Sequence, residues 1–175
     1  DTDNPQGILA QIEMKKYSLE EMVNENNFLV VLDAIQDPGN MGTIIRTADA
    51  AGATGVVLSE GCVDVYNPKV LRSTMGSVFH VPIYNSKDIL KDLKYFKEKK
   101  IMICASHLEG ETAYFNLENV DNVAIVIGNE ARGIRDDIKD ISDVLVKIPM
   151  KGRAESLNAS IAAGLLIFEI MRKRI

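Results

Sequence analysis

The sequence predicts an α/β domain built on a mostly parallel sheet flanked by helices. Three observations carry that prediction. Six short runs rich in Val, Ile and Leu are continuous rather than alternating, as in strands covered on both faces. Segments of helical period separate most of those runs. The chain of 175 residues is the length of one domain.

Residues 1–17 read as a linker, because Asn4-Pro5-Gln6-Gly7 is turn chemistry and no periodic apolar face accompanies it. Ser18-Leu19-Glu20-Glu21 has capping-box spacing, so a short helix follows. Phe28–Asp33 is the first buried strand. Asp37–Asn40 reads as a loop, and Met41–Ala51 as a helix stopped by Gly52. Gly55–Leu58 is a second strand, and Asn67-Pro68 caps a helix running to about Met75. Val81–Tyr84 is a strand. Ser86–Lys100 is an amphipathic helix whose lysines read as a solvated face. Ile101–Ala105 and Val123–Ile127 are strands, Asp136–Ile141 a short helix, and Val144–Ile148 the last strand. The closing helix, apolar on one face, runs from Ser156, read as its N-cap, to Arg174; Arg172-Lys173-Arg174 suits its negative end.

Composition narrows the function classes. The hydrophobic fraction of 46% and charged fraction of 26% are ordinary globular values, excluding a disordered chain, collagen or a coiled coil. No apolar run approaches bilayer length. No basic, apolar leader opens these residues, and Cys62 and Cys104 read as reduced thiols, so a cytoplasmic location is expected. Net charge is −5, but residues 1–27 hold six acids and two lysines, leaving 28–175 nearly neutral. Global charge therefore neither supports nor excludes a polyanionic partner.

In an open α/β sheet, ligands bind beyond the carboxyl ends of the strands. Three strand exits there carry unusual chemistry. In Asp37–Arg46, Gly39 and Gly42 allow close backbone approach, Asn40 stands where it could cap a helix or hold a substrate, and Arg46 lies in an otherwise apolar helix. Gly128-Asn129-Glu130-Ala131-Arg132-Gly133 puts a charged loop between two glycines. Ile148-Pro149-Met150 is followed by Ser156-Leu157-Asn158. Taken singly, each has an ordinary alternative: a capping Asn with a surface Arg, a solvated turn, a helix cap. Taken together they could converge on one pocket. No zinc-type ligand set is present, so no metal is expected; His80 beside Val81-Pro82 reads as structural. Neither a G-x-S-x-G elbow nor a G-x-x-x-x-G-K-[ST] loop is present.

At these loops the sequence resembles the SpoU (TrmH) class of RNA 2′-O-ribose methyltransferases in the SPOUT superfamily. N-x-G-x-x-x-R followed by T-A is present as Asn40, Gly42, Arg46, Thr47 and Ala48. I-G-x-E-x-x-G is Ile127, Gly128, Glu130 and Gly133. I-P-M, then S-L-N-x-S-x-A, is Ile148, Pro149, Met150, Ser156, Leu157, Asn158, Ser160 and Ala162. Pro68-Lys69 and Ser73–Ser77 match the family's middle segment, and the likeness runs from about 28 to 172.

The resemblance implies a catalytic domain over 28–175, with residues 1–27 a linker and short helix after an amino-terminal RNA-binding domain that these residues do not include. It implies a C-terminal trefoil knot, a homodimer and S-adenosylmethionine as methyl donor. The donor would be held by Ala105, Ser106, Ile127, Gly128, Ile148 and Met150, with Ser156, Leu157 and Asn158 closing the site. Arg46, Asn40, Glu130, Ser156 and Asn158 would be the catalytic set. The family assigns the Arg46 position as base. A guanidinium is effectively always protonated, so Arg46 reads instead as gripping a phosphate and stabilising the developing oxyanion. Lys69, Arg72, Arg132, Lys151 and Arg153 are candidate RNA contacts, and the near-neutral domain alone is expected to bind RNA weakly. Ribosomal RNA is the expected substrate and transfer RNA the alternative. A silent RNA-binding module of the same fold is a further reading. A dinucleotide oxidoreductase would use Gly39, Gly42 and Glu60, but G-x-x-G is not its fingerprint.

Overall fold

The computed structural model describes Gly7 and residues 10–175. The turn expected at residues 4–7 therefore lies, apart from Gly7, outside the described residues. Residues 10–17 form no helix or strand. Ser18 then caps α1 (Leu19–Met22) with the full box: it accepts from the Glu21 amide, and Glu21 accepts from the Ser18 amide at 2.7 Å.

The remaining elements are β1 (Phe28–Leu32), α2 (Pro38–Ala50), β2 (Gly55–Leu58), α3 (Pro68–Thr74), β3 (Ile83–Asn85), α4 (Ile89–Glu98), β4 (Met102–Ser106), β5 (Thr112–Ala113), β6 (Val123–Ile127), α5 (Asp136–Ile141), β7 (Val144–Lys147) and α6 (Ala159–Arg174). The seven strands form one sheet in the order β3-β2-β1-β6-β4-β7-β5, and every pairing is parallel. All strand exits therefore point to one edge. β1 and β6 sit centrally in register from Phe28↔Val123 to Leu32↔Ile127.

Side-chain alternation divides the core. Phe28, Val30 and Leu32 with Val123, Ile125 and Ile127 pack under α2 and α6; Leu29, Val31, Ala124 and Val126 pack under α4 and α5. Both faces are covered, which is why the central strands read as unbroken apolar runs.

Three expectations change. α2 begins at Pro38 rather than Met41: Asp37 accepts from the Asn40 amide at 2.8 Å and Pro occupies the first helical position. Asn40 is thus inside the first turn, not in a loop. The closing helix is capped by Asn158 rather than Ser156, because the Asn158 Oδ1 accepts from the amides of Ser160 and Ile161 at 2.9 and 3.4 Å. β5 is a strand where none was expected; two half-buried residues leave no apolar run to read. Both cysteines are free. Burial pushes the Cys104 thiol up to about 12, so it is no nucleophile. No helix among the described residues is long and apolar enough to cross a membrane.

Candidate active site

The chain dictates a cleft where three adjacent strands end. β6, β4 and β7 are neighbours in the sheet. Their exits, with the start of α6, enclose about 470 Å³. Ser106–Glu109 begin at the last residue of β4, Ile127–Gly133 at the last residue of β6, Ile148 and Met150 follow β7, and Ser156, Leu157, Ala159 and Ala162 come from the approach to α6 and its first turn. Such a volume is that of a small-molecule site.

The β6 exit is built rather than loose. The Asn129 and Gly133 amides each donate to the other residue's carbonyl at 2.9 Å. The Asn129 Oδ1 accepts from the amides of Ala131 and Arg132 at 3.0 and 3.1 Å. Gly133 turns the chain with φ of 70°. A Cβ on Gly128 would collide with the backbone of Gly133 and Ile134, so only glycine fits there. Gly42 has a different reason from the one expected. It lies within α2, and a Cβ there would strike the Ser73 side chain and sit 2.9 Å from the Val70 carbonyl. It seats α2 on α3 and does not approach the cleft.

Three segments meet in one polar relay. The Asn40 Nδ2 donates to the Glu130 Oε1 at 3.0 Å, and the Asn158 Nδ2 donates to the Asn40 Oδ1 at 3.0 Å. Glu130 also accepts from the amides of Asp37 at 3.1 Å and Gln36 at 3.2 Å, the positive end of α2. Burial alone would push the Glu130 carboxyl up. The bonds from the Asn40 side chain and from the Asp37 and Gln36 amides outweigh it and hold the group below its ordinary value. Asn158 meanwhile caps α6 with its carbonyl. The β1–α2 turn, the β6 loop and the α6 start are therefore fixed to one another by side chains from the three loops singled out in the sequence.

Other candidates stand elsewhere. Ser106, Ile127, Gly128, Glu130, Ile148, Met150, Ser156 and Leu157 line the cleft. Ala105 does not, being buried within β4, and neither do Asn40 and Asn158, which join the cleft through Glu130 in the relay. Arg46 is exposed on α2 and is not part of the cleft of its own chain. Arg132 lines the cleft. Lys69 and Arg72 are exposed on α3, and Lys151 and Arg153 are exposed in the loop after β7. His80 faces Asp49 at 3.3 Å on the surface. Among the described residues no group of three His, Cys, Asp or Glu side chains is placed to hold a metal. Sequence reasoning passed over His107, Leu108 and Glu109 in the cleft. Their only signal was position, immediately beyond a strand end.

A parallel sheet with a ligand-sized cleft beyond adjacent strand ends, braced by Asn and Glu from separate loops, fits an α/β enzyme of the class read from the motifs. Comparison with known proteins agrees. The model of the SpoU rRNA Methylase family matches residues 27–168, and the chain belongs to that family. YacO of Bacillus subtilis, classed in the TrmH family of tRNA/rRNA methyltransferases, is 34% identical over 99% of this chain and 72% of its own. The 23S rRNA (guanosine(2553)-2′-O)-methyltransferase RlmP of the same organism is 35% identical over 97% of this chain and 66% of its own. The crystal structure of the SpoU methyltransferase AviRb from Streptomyces viridochromogenes in complex with AdoMet superposes with a TM-score of 0.86. It is 33% identical, over 93% of this chain and 66% of that one. The chain thus spans about two thirds of the length of RlmP and AviRb.

Proposed function

We propose that this chain transfers a methyl group from S-adenosylmethionine to a ribose 2′-hydroxyl in RNA, with ribosomal RNA as substrate. The observation that carries the reading is the Glu130–Asn40–Asn158 relay bracing a cleft at the exits of β6, β4 and β7. The AdoMet complex of AviRb supports the donor, and the name of RlmP supports the RNA.

The residues fit the donor. The cleft is ligand-sized and mixes apolar side chains (Ile127, Ile148, Met150, Leu157) with main chain at Gly128. When bound, S-adenosylmethionine supplies an electrophilic methyl group on a cationic sulfur. Ser106, Ile127, Gly128, Ile148, Met150, Ser156 and Leu157 would hold it. Ala105 supports that wall from β4, and Asn158 supports it from the relay. Glu130 is kept ionised and places negative charge at the rim, where a cation is to be bound. Asn40 retains one N–H and one carbonyl lone pair beyond the relay, sufficient to orient a ribose or phosphate. Arg46 stands in solvent, ready to grip a phosphate and stabilise oxyanion character. Holding these groups in line with the hydroxyl is the main source of rate. Lys69, Arg72, Lys151 and Arg153 are cations for the RNA backbone.

Two further features belong to this reading. The chain pairs as a homodimer in which the Arg46 of one protomer serves the interface; the exposed Ile161, Leu165 and Phe168 on α6 support it. The C-terminal part closes as a trefoil knot. Supporting it, β7 is inserted between β4 and β5, both earlier in the chain, and the backbone at Gly133–Ile134 passes against Gly128. Stretching the chain by its ends checks the knot. A knotted chain stays shorter than its full extension of about 3.3–3.6 Å per residue, and an unknotted one reaches it.

The deciding experiment supplies methyl-labelled donor with purified ribosomal and transfer RNA. Label is expected in ribosomal RNA as 2′-O-methylribose, and Arg46→Ala should abolish it while donor binding persists. Label in transfer RNA alone would move the substrate. Donor binding without transfer to any RNA would favour the silent module, and binding of NAD in its place would overturn the reading.

A further inference from the structure

The relay braces the Gly128–Gly133 wall from one side but leaves open what fixes its two ends. Asp33, the residue after β1, meets both. Its N–H donates to the Ile127 carbonyl at 2.8 Å, where the wall begins. Its carboxylate meets the far end: Oδ2 accepts from the Arg135 amide at 3.3 Å, and Oδ1 lies 3.5 Å from the Arg135 Nε. The Ser59 Oγ, beyond β2, donates to Oδ1 at 3.0 Å and accepts from the Ala34 amide at 3.0 Å. The carbonyl of Ala34, a residue with φ of 54°, accepts from the Asn129 Nδ2 at 2.7 Å, inside the wall.

Asp33 is only 1% exposed. A carboxylate so buried is costly unless donors and a cation meet it. An apolar side chain would close this corner of the core without that cost. The carboxylate instead gathers a hydroxyl, a main-chain N–H and a guanidinium from two other segments. Arg135 is half exposed and also faces Asp137 at 3.4 Å, so its reach to Asp33 is one of two pairings. Asp33 does not line the cleft. Whatever it does for the site passes through the wall.

We propose that Asp33 is a positioning residue for methyl-donor binding. With Ser59 and Arg135 it clasps both ends of the 128–134 wall, and so sets where that wall presents the Gly128 main chain and the Glu130 carboxylate to the cleft. This rests on the reading of the cleft as the donor site.

Calorimetric titration of S-adenosylmethionine, beside amide hydrogen exchange, tests the clasp with Asp33→Asn. Asparagine keeps the shape and the Ser59 bond but removes the charge and an acceptor facing Arg135. Affinity is expected to fall about tenfold. Amides of residues 129–135 are expected to exchange faster, while those of β1 and β6 keep their protection. Wild-type affinity overturns the proposal; so does faster exchange across the whole sheet, which would mark a general loss of stability. If Asp33→Asn does not fold, Arg135→Ala on its half-exposed side chain gives the same readouts, and Arg135→Lys should recover part of the loss. Failure of the unaltered chain to bind S-adenosylmethionine overturns the reading of the cleft instead, and exchange at 129–135 alone then decides the clasp.

Discussion

Glu130 stands at the cleft as a carboxylate because of what surrounds it. Burial works against the charge, but the Asn40 side chain and the amides of Asp37 and Gln36 favour it more strongly, so its native pKa lies below the ordinary 4.5. The unfolded chain therefore takes up this proton at higher pH than the native one. The resulting stability is present in full above 4.5 and is lost as pH falls through the lowered native value. Glu130→Gln removes the titration while keeping the shape. Thermal melts from neutral pH into acid should show a gap between the two proteins that is largest near neutrality and narrows below 4.5. A constant offset from an amide facing the wrong donors would persist at every pH; only the narrowing belongs to the proton. A gap that does not narrow would mean the three bonds to Glu130 do not favour its charge.

At the scale of elements, Asn158 holds two posts with one side chain: its carbonyl caps α6 and its Nδ2 reaches Asn40. Substitution separates them. Asn158→Ala removes both and should cost about 0.5–2 kcal/mol in urea unfolding, the usual worth of a cap. Asn158→Asp keeps the cap but presents no N–H to Asn40, so it should unfold near wild type yet lose most methyl transfer. Full transfer by the Asp variant would show the relay to be dispensable. This double role also marks where the sequence stopped being legible. Six strands could be read because a sheet covered on both faces forces unbroken apolar runs, but β5, Thr112–Ala113, offers too little apolar surface to show. Ser156 and Asn158 are both good caps, and only folding decides between them; Ser156 instead lines the cleft. Asn40, Glu130 and Asn158 were legible by motif, but the bonds among them span 90 and 118 residues of sequence and need the strand order to be seen. Asp33 read as the tail of a strand, since nothing local distinguishes a clasp from a strand end.

For the whole molecule, α6 poses the question of what lies against it. The sequence suggested one apolar face. The helix has two: Ala163, Leu166, Ile167 and Ile170 are buried in the core, while Ile161, Leu165 and Phe168, spaced four and three apart, are 56%, 37% and 44% exposed. Met150 and Leu157, each 36% exposed, add apolar surface beside the cleft. A contiguous apolar stripe of this kind marks an interface. In the proposed dimer the stripe is that interface, and it connects two facts left apart within one chain: the donor-sized cleft and the exposed Arg46 that does not reach it, carried on α2, which packs against α6. Leu165→Glu and Phe168→Glu charge the stripe without entering the core, so thermal stability of the fold should change little while the sedimenting species becomes a monomer. If Arg46 acts across the interface, methyl transfer should fall with the dimer while S-adenosylmethionine binding, made within one chain, survives. Mixing Arg46→Ala protomers with protomers disabled in the cleft by Gly128→Ala supplies the complement, because half the heterodimers' sites would then combine an intact cleft with an intact arginine. Recovered transfer in the mixture requires a shared site. A wild-type chain that sediments as a monomer at all concentrations, or a monomeric variant with full transfer, would place Arg46's work within its own chain.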